Sequence, residues 1–154
     1  MPRFSYYDYP ETLKPLLAMK AYIDQCGLEK DLIHLVMLRA SQLNGCAYCI
    51  DMHSKEARAG GETEQRLYLL QAWREAPFYS ARERAAFAWC EAVTRLDPLR
   101  GVPDEVYEQA RAQFSERELI DLNLLVIMIN GWNRIAVPSK TEPGSFQPAQ
   151  REAA

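Results

Sequence analysis

A run that is apolar on nearly every side, from Leu119 to Trp132, constrains the fold of this chain more than any other stretch. Ser115 and Glu118 stand just before it with the spacing of a capping box, which indicates that a helix begins there. A helix without a polar face has to be surrounded by other elements. The sequence therefore predicts that this segment is the central packing helix of a helical fold.

The remaining segments also place apolar residues at helical spacing, and strand-like alternation is absent from the sequence. Glycine, proline and Asn-Gly signals separate these segments, so short turns should connect them. The expected helices cover about residues 15–25, 30–43, 46–59, 64–73 and 80–96, a short helix after Pro103, and the central helix. A chain of 154 residues fits one domain. We predict an all-α single domain of about seven helices.

Both ends of the chain differ in composition from this helical region. Residues 1–14 are aromatic and polar without periodicity, and Pro10 and Pro15 limit any early helix, so an N-terminal arm is expected before a helical domain at 15–138. Residues 139–154 are rich in Pro, Ser, Gln, Glu and Ala. This composition predicts a C-terminal tail that is mobile, or ordered only against a neighbouring subunit.

Charge and hydropathy argue against two classes of partner. A net charge of -3 without long basic runs gives no electrostatic footprint for nucleic acid. The N-terminus has no apolar signal-peptide region, and the longest aliphatic run, Leu124 to Ile129, is far shorter than the roughly 20 residues that cross a bilayer. We predict a cytoplasmic protein without a nucleic-acid or membrane partner.

The sequence CAYCIDMH, from Cys46 to His53, contains the residues best suited to chemistry. On a helix, Cys46, Cys49 and His53 fall on one stripe, so the two thiols can approach disulfide distance and the imidazole can take the proton of Cys49. Asn44-Gly45 marks a helix break, and a helix start at Cys46 would stabilise a thiolate. In a reducing cytosol a close cysteine pair is more often catalytic or metal-binding than structural.

Three interpretations of this cluster compete. It is a redox dithiol with a histidine base, or a zinc site completed by His34 or a carboxylate, or two core cysteines beside a surface histidine. The combined spacing favours the redox dithiol, because the chain lacks a second close cysteine pair and three ligands from one helix make tetrahedral closure awkward. Cys26 and Cys90 stand apart and are interpreted as small buried hydrophobic residues.

Three segments carry a resemblance to a known family: LRASQLNGCAYCIDMHSKEARAGGE, RLYLLQAWREAPFYSARERAAFAW and NLLVIMINGWNRIAV. They resemble the AhpD-like alkylhydroperoxidase branch of the carboxymuconolactone decarboxylase family, over about residues 15 to 138. The resemblance implies an AhpD-like helical bundle that assembles through helix packing into trimers or hexamers, with thiol-dependent peroxidase activity of the peroxiredoxin type. It also implies an external dithiol reductant such as dihydrolipoamide, a possible peroxiredoxin partner, and neither a tightly bound cofactor nor a metal. The decarboxylase branch generally lacks the cysteine pair, which favours the peroxidase branch here.

The family motif assigns roles by position. Cys49 matches the thiol beside the proton relay, Cys46 its more exposed partner, and His53 the relay histidine. The family places a glutamate as final proton acceptor where this chain has His34, which can accept a proton near neutral pH but leaves His53 without a fixed negative charge and so predicts a weaker relay. Tyr48 replaces a second histidine and is interpreted as a packing aromatic that faces away from the thiols.

The expected reaction begins when His53 takes the proton of Cys49, with water passing it on to His34. The thiolate attacks the hydroperoxide, Cys46 condenses with the resulting sulfenic acid, and a dithiol reduces the disulfide. Which cysteine reacts first stays open, because the helix start favours Cys46 and the histidine favours Cys49. The alternatives are a non-enzymatic redox-sensing oligomer and a decarboxylase or isomerase-type enzyme in which His53 acts on a carbon acid.

Other polar residues receive weaker interpretations from the sequence. An ion pair between Arg39 and Glu56 near the thiols is conceivable, and neither residue is given a role. Trp132, Asn133 and Arg134 belong to the third resembling segment and are interpreted as packing and capping groups.

Overall fold

The computed structural model describes residues 2–148, and this part of the chain contains seven α-helices and no β-strand. The prediction of an all-α fold of about seven helices is confirmed. The helices are α1 Lys14–Ile23, α2 Lys30–Asn44, α3 Ala47–Ala59, α4 Glu64–Leu69, α5 Ala81–Thr94, α6 Asp104–Arg111 and α7 Glu116–Ser139. Short 3-10 helices at Tyr6–Asp8, Pro10–Leu13 and Leu70–Ala72 complete the regular structure.

The helix α7 is the central packing element, as its sequence predicts. It packs against α1, α2, α3, α5 and α6, and Leu122, Leu125 and Ile129 are fully buried. Burial of each such side chain stabilises the fold by about 1.5–3 kcal/mol relative to exposure. Ser115 accepts a hydrogen bond from the backbone of Glu118, whose side chain bonds back to the cap, so the predicted capping box fixes where α7 begins.

By length and composition alone, α7 is also the one helix in the described residues that could cross a membrane. Its apolar residues form the centre of the hydrophobic core. This position in the fold accounts for its composition.

The turn between α2 and α3 places the cysteines. Gly45 ends α2 with a φ of 64°, a left-handed conformation that glycine adopts without steric strain. The backbone N–H of Cys46 donates to the carbonyl of Ser41, and Cys46 is the N-cap of α3. The predicted helix break at Asn44-Gly45 is therefore correct, and the dithiol lies at a helix start.

Two predicted helix ends differ from the structure. The segment expected to be helical to Trp73 leaves α-helical geometry after Leu69 and continues as a 3-10 turn. The helix α7 extends beyond Trp132 to Ser139 and carries Pro138 in its last turn. Buried Asn133, Ala136 and Ser139 hold these additional turns against the core, which a count of apolar residues does not reveal.

The prediction for the tail is wrong over residues 140–148, because this segment packs on its own chain. Lys55 Nζ donates to the carbonyl oxygens of Gly144 and Phe146 at 3.3 and 3.1 Å, and the N–H of Gly144 donates to Asp51 at 3.0 Å. The remainder of the predicted tail, 149–154, lies outside the described residues. At the other end, the N–H of Arg3 donates to the carbonyl of Ser139 at 2.8 Å, so the arm is attached to the end of α7.

Candidate active site

The structure joins Cys46 and Cys49 in a disulfide at the N-terminus of α3. Their Cα atoms are 5.3 Å apart, and the backbone N–H of Cys49 points to Cys46 Sγ at 3.3 Å. This N–H belongs to the first turn of the helix, where unpaired donors stabilise a thiolate. The exposed fractions are 1% for Cys46 and 2% for Cys49, so the expectation that Cys46 is the more exposed partner is wrong.

One helical turn further along α3 lies His53, which is buried and paired with a carboxylate. His53 Nδ1 is 2.8 Å from Glu56 Oε2, while His53 Nε2 is buried without a hydrogen-bond partner within residues 2–148. A carboxylate at Nδ1 favours the tautomer that carries its proton there. In this tautomer Nε2 carries a lone pair, and it is the atom that can take a proton from a neighbouring group.

Glu56 is the functional residue that the sequence interpretation missed. It lies one turn after His53 on α3, and this i, i+3 spacing from a candidate base was the signal that could have identified it. Burial by itself raises the pKa of its carboxyl group, but the hydrogen bond and charge of His53 outweigh this effect and lower the pKa. Glu56 is therefore ionised at neutral pH.

The position of Glu56 corrects two expectations. The prediction that His53 lacks a fixed negative charge is wrong, because Glu56 supplies that charge from the same helix. The conceivable ion pair between Arg39 and Glu56 is also absent. Arg39 Nη2 instead pairs with Glu91 Oε1 at 2.7 Å.

His34 reaches the same group of side chains from α2. Its Nδ1 is buried without a hydrogen-bond partner in the described residues and lies 3.7 Å from Glu56 Oε2, beyond hydrogen-bond distance. Burial lowers the pKa of His34, and the nearby Glu56 carboxylate only partly opposes this effect. His34 is therefore neutral at neutral pH and adjoins the carboxylate rather than replacing it.

His34, His53 and Glu56 are also the described residues whose spacing could suit a metal ion, with ligand atoms within 4.8 Å of one another. This set differs from the zinc set considered from the sequence, because Cys46 and Cys49 are bonded to each other here. The hydrogen bond between His53 and Glu56 explains their proximity without a metal.

Tyr48 lies against the disulfide, so the expectation that it faces away from the thiols is wrong. Its ring packs on a small cluster formed by Cys46, Cys49 and Ala136. Burial, and next the neighbouring Tyr7 with its hydrogen bond, raise the pKa of the Tyr48 hydroxyl. Tyr48 thus connects the arm to the dithiol.

A cavity of about 640 Å³ opens beside Cys49 and contains the polar groups described above. His34, His53 and Glu56 lie on its wall together with Cys49. Apolar side chains from four separate parts of the chain form much of the remainder: Phe4, Ile33, Met37, Trp132, Ile135 and Phe146. A cavity of this size with a mostly apolar surface suits an organic molecule.

A second, smaller hollow of about 160 Å³ lies beside Cys46. Gly45, Ala47, Val137 and Lys140 line it, and the first cavity does not include these residues. Tyr48, Ala136 and Thr141 line both spaces. Cys46 and Cys49 therefore border different spaces.

The other two cysteines are separate from this site. Cys90 is fully buried, and burial raises the pKa of its thiol to about 12, so it matches the expectation of an inert core residue. Cys26 is only partly buried, which departs from that expectation. Both are free thiols.

Comparisons with known proteins place this geometry in context. A model of the carboxymuconolactone decarboxylase family matches residues 10–92. The uncharacterized protein YdfG of Bacillus subtilis is 46% identical over 136 residues, which are 88% of this chain and 92% of the relative. A crystal structure from Agrobacterium tumefaciens, of a protein of unknown function described as putative antioxidant defence protein AhpD, is 41% identical with a TM-score of 0.90. That alignment covers 95% of this chain and 100% of the other.

More distant structures share the fold alone. The debrominase Bmp8 is 18% identical with a TM-score of 0.79, over 90% of this chain and 74% of that protein. An AhpD-core peroxidase-related protein of Ralstonia eutropha is 19% identical with the same TM-score, over 91% of this chain and 74% of that protein. Proteins that share this helical fold are thus described as having different functions. The fold alone does not identify the function of this chain, which has to be inferred from the side chains of the site.

Proposed function

The chain belongs to the carboxymuconolactone decarboxylase family as an AhpD-like member, and from this premise we propose that it is a thiol-dependent peroxidase. Its substrate is a hydroperoxide, and its redox group is the dithiol of Cys46 and Cys49. The observation that carries the proposal is the position of Cys49, His53 and Glu56 on the wall of one cavity. A redox dithiol needs a sulfur atom, a base and an orienting group within reach of one substrate.

The first step is proton removal from Cys49. Glu56 holds the Nδ1 proton of His53, and His53 Nε2 takes the proton of the Cys49 thiol. An unperturbed thiol has a pKa of about 8.5 and is only a few per cent thiolate at neutral pH. A base and a helix N-terminus acting on the same pair raise that fraction.

The remaining steps balance in atoms and electrons. The Cys49 thiolate attacks the terminal, hydrogen-bearing peroxide oxygen, the O–O bond breaks, and the alkoxide takes a proton to leave as the alcohol. Cys49 is then a sulfenic acid. The Cys46 thiol attacks this sulfur, water leaves, and the disulfide forms; an external dithiol later donates two electrons and two protons to restore both thiols.

Several parts of this proposal come from the family resemblance. They are dihydrolipoamide as the reductant, a peroxiredoxin partner, assembly into trimers or hexamers, and a cytoplasmic location. The role of His34 as final proton acceptor also comes from the resemblance. The proximity of His34 to Glu56 supports a modified role, in which Glu56 is the acceptor and His34 lies beside it.

A steady-state assay of hydroperoxide consumption with dihydrolipoamide tests the proposal. We expect turnover by the parent protein and none above the uncatalysed rate by the Cys46→Ser and Cys49→Ser variants. Cys26→Ser is the matched control, because this thiol does not line the cavity and its loss should leave turnover unchanged. Turnover that survives loss of either site cysteine would exclude the dithiol cycle. Absence of turnover in a parent protein whose disulfide still forms reversibly would favour the redox-sensor alternative.

The order of attack has its own test. A dimedone-type reagent should trap a sulfenic acid in Cys46→Ser, which retains Cys49. Trapping only in Cys49→Ser would reverse the assignment. Conversion of a lactone by the doubly substituted protein would support the decarboxylase or isomerase alternative.

A further inference from the structure

We propose that the reductant and the hydroperoxide reach the dithiol from different spaces, and that the reductant enters through the small hollow beside Cys46. This inference rests on the proposed function for the oxidising half of the cycle only. The hollow of about 160 Å³ borders Cys46 and not Cys49, whereas the 640 Å³ cavity borders Cys49 and not Cys46. Its ligand is the thiolate end of a small dithiol.

The direction of attack follows from the chemistry of thiol–disulfide exchange. The incoming thiolate attacks one sulfur while the other leaves, and it approaches along the extension of the S–S bond. Attack on Cys46 with Cys49 as leaving group therefore has to come from the side of Cys46 away from Cys49. The hollow is the space that borders Cys46, and Tyr48, Ala136 and Thr141 line both it and the cavity.

The charges around the two spaces support the same direction. Lys140 is the charged residue that lines the hollow, and the lining includes no carboxylate. The large cavity is lined by Lys20 and Lys30 as well as by Asp24 and the ionised Glu56, so its positive and negative groups balance. An approaching thiolate is thus attracted by Lys140 beside Cys46, where no carboxylate opposes the attraction.

The end of α7 holds Lys140 in place. The N–H of Lys140 donates to the carbonyl of Val137 at 3.2 Å, and the N–H of Thr141 donates to the carbonyl of Ala136 at 3.1 Å. Lys140 has a φ of 56° and is the C-cap of the helix. These bonds fix its backbone at the rim of the hollow.

The reduction then proceeds in two balanced steps. The reductant thiolate attacks Cys46 Sγ, the Cys46–Cys49 bond breaks, and Cys49 leaves as a thiolate that takes a proton in the cavity. The second thiol of the reductant, once deprotonated, attacks the reductant sulfur bound to Cys46. Cys46 leaves as a thiolate at the helix N-terminus, and the reductant becomes a disulfide.

Separate measurement of the two half-reactions tests this assignment. Lys140→Glu and Ala47→Phe should each lower the second-order rate constant for reduction by dihydrolipoamide, by about tenfold for the charge reversal. Ala47 is exposed at the start of α3, and a larger side chain there would fill the hollow. Oxidation of the reduced protein by cumene hydroperoxide should change less than about twofold. Lys14→Glu makes the same charge change away from both spaces and serves as the control.

A trapping experiment identifies the sulfur atom directly. The oxidised protein is treated with 2-mercaptoethanol and iodoacetamide, and the peptide containing both cysteines is fragmented in a mass spectrometer. We expect the mercaptoethanol adduct on Cys46 and the alkyl group on Cys49. The reverse pattern, or equal slowing of both half-reactions in Lys140→Glu, would overturn the proposal. Since reduction needs no peroxide, a failed peroxidase assay would reject the proposed function without affecting this result.

Discussion

Glu56 changes the interpretation of the proton relay at the level of single residues. Its carboxylate is hydrogen-bonded to His53 Nδ1 and lies 3.7 Å from His34 Nδ1, so one negative charge lies close to two imidazole rings. The family resemblance places the final carboxylate at the position of His34. In this chain the charge lies on α3 instead, one turn beyond His53.

Glu56→Gln should lower kcat/KM for hydroperoxide by roughly 10- to 100-fold, because His53 loses the carboxylate that orients its ring and fixes its tautomer. The acid limb of the pH profile should move as well, which a purely structural role would not cause. Glu64→Gln is the control, since Glu64 is an exposed carboxylate that pairs with Arg58 away from the cavity. Equal effects of the two substitutions would contradict a positioning role for Glu56.

His34→Glu tests whether Glu56 has taken the role of the carboxylate that the family resemblance places at position 34. The substitution puts a second carboxylate beside Glu56. Two carboxylates in a partly buried corner cannot both ionise easily, so the pKa of one is raised. In the parent protein the pKa of Glu56 is lowered, and its charge is lost only as the pH falls below the usual carboxyl range. The acid limb of kcat/KM should therefore move to higher pH in His34→Glu. An unchanged limb, or a shift to lower pH, would show that the two groups do not interact.

The spacing of residues predicted part of this site and could not predict the rest. Cys46, Cys49 and His53 share one helix, so their proximity follows from helical periodicity. Glu56 follows the same rule, but a glutamate on a helix is usually solvated and its spacing from His53 was not used. The position of His34 beside Glu56 depends on how α2 packs against α3, which periodicity does not specify.

At the level of elements, a set of side-chain hydrogen bonds, the polar bridge, joins α2 to α7. Asn133 is buried, its Nδ2 donates to Ser41 Oγ at 3.1 Å, and its Oδ1 accepts from Asn44 Nδ2 at 2.8 Å. Both partners lie in the last turn of α2, directly before the turn that leads to Cys46. The interpretation of Asn133 as a packing group is consistent with these contacts.

Asn133→Ala should lower the free energy of unfolding by about 1–3 kcal/mol, because it removes two hydrogen bonds between α2 and α7. Ser41 Oγ keeps its bond to Met37 O, and Asn44 Nδ2 keeps its bond to Asn130 Oδ1. Urea denaturation of the reduced protein measures this change. Asn123→Ala is the matched control on the same helix, since Asn123 makes no side-chain hydrogen bond within the described residues. Similar losses for both variants would indicate that the bridge contributes nothing specific.

The start of α7 was predictable because a capping residue, Ser115, marks it. The path of residues 140–148 could not be predicted, because it depends on hydrogen bonds with Lys55 and Asp51 that the composition does not reveal. A segment of low apolar content can be ordered by a few such bonds. This is the physical reason that the prediction of a mobile tail failed there.

At the level of the whole molecule, the cavity combines residues that are distant in sequence. The arm provides Tyr6 and Tyr7, α7 provides Trp132, and the final segment provides Phe146. The size and apolar character of the cavity are therefore properties of the folded chain. The sequence predicts the sulfur chemistry, whereas the space that receives a substrate appears only when these parts are packed together.

The assembly predicted from the family resemblance has its own test. Ile120 and Ile127 are exposed and lie two turns apart on one face of α7. We expect a trimer or hexamer by light scattering, and a smaller species for Ile127→Glu. Leu99→Glu alters an exposed leucine in the loop between α5 and α6 and should leave the assembly intact. A monomeric parent protein would contradict the prediction.

The most direct measurement of the dithiol cycle is a thiol count at each cysteine after a single turnover. The fully reduced protein is mixed with one equivalent of cumene hydroperoxide, and the remaining thiols are alkylated and located by peptide mass. We expect one equivalent of the alcohol, a disulfide between Cys46 and Cys49, and free thiols at Cys26 and Cys90. Alcohol formation with all four thiols intact, or no reaction of Cys46 and Cys49 with the hydroperoxide, would contradict the account.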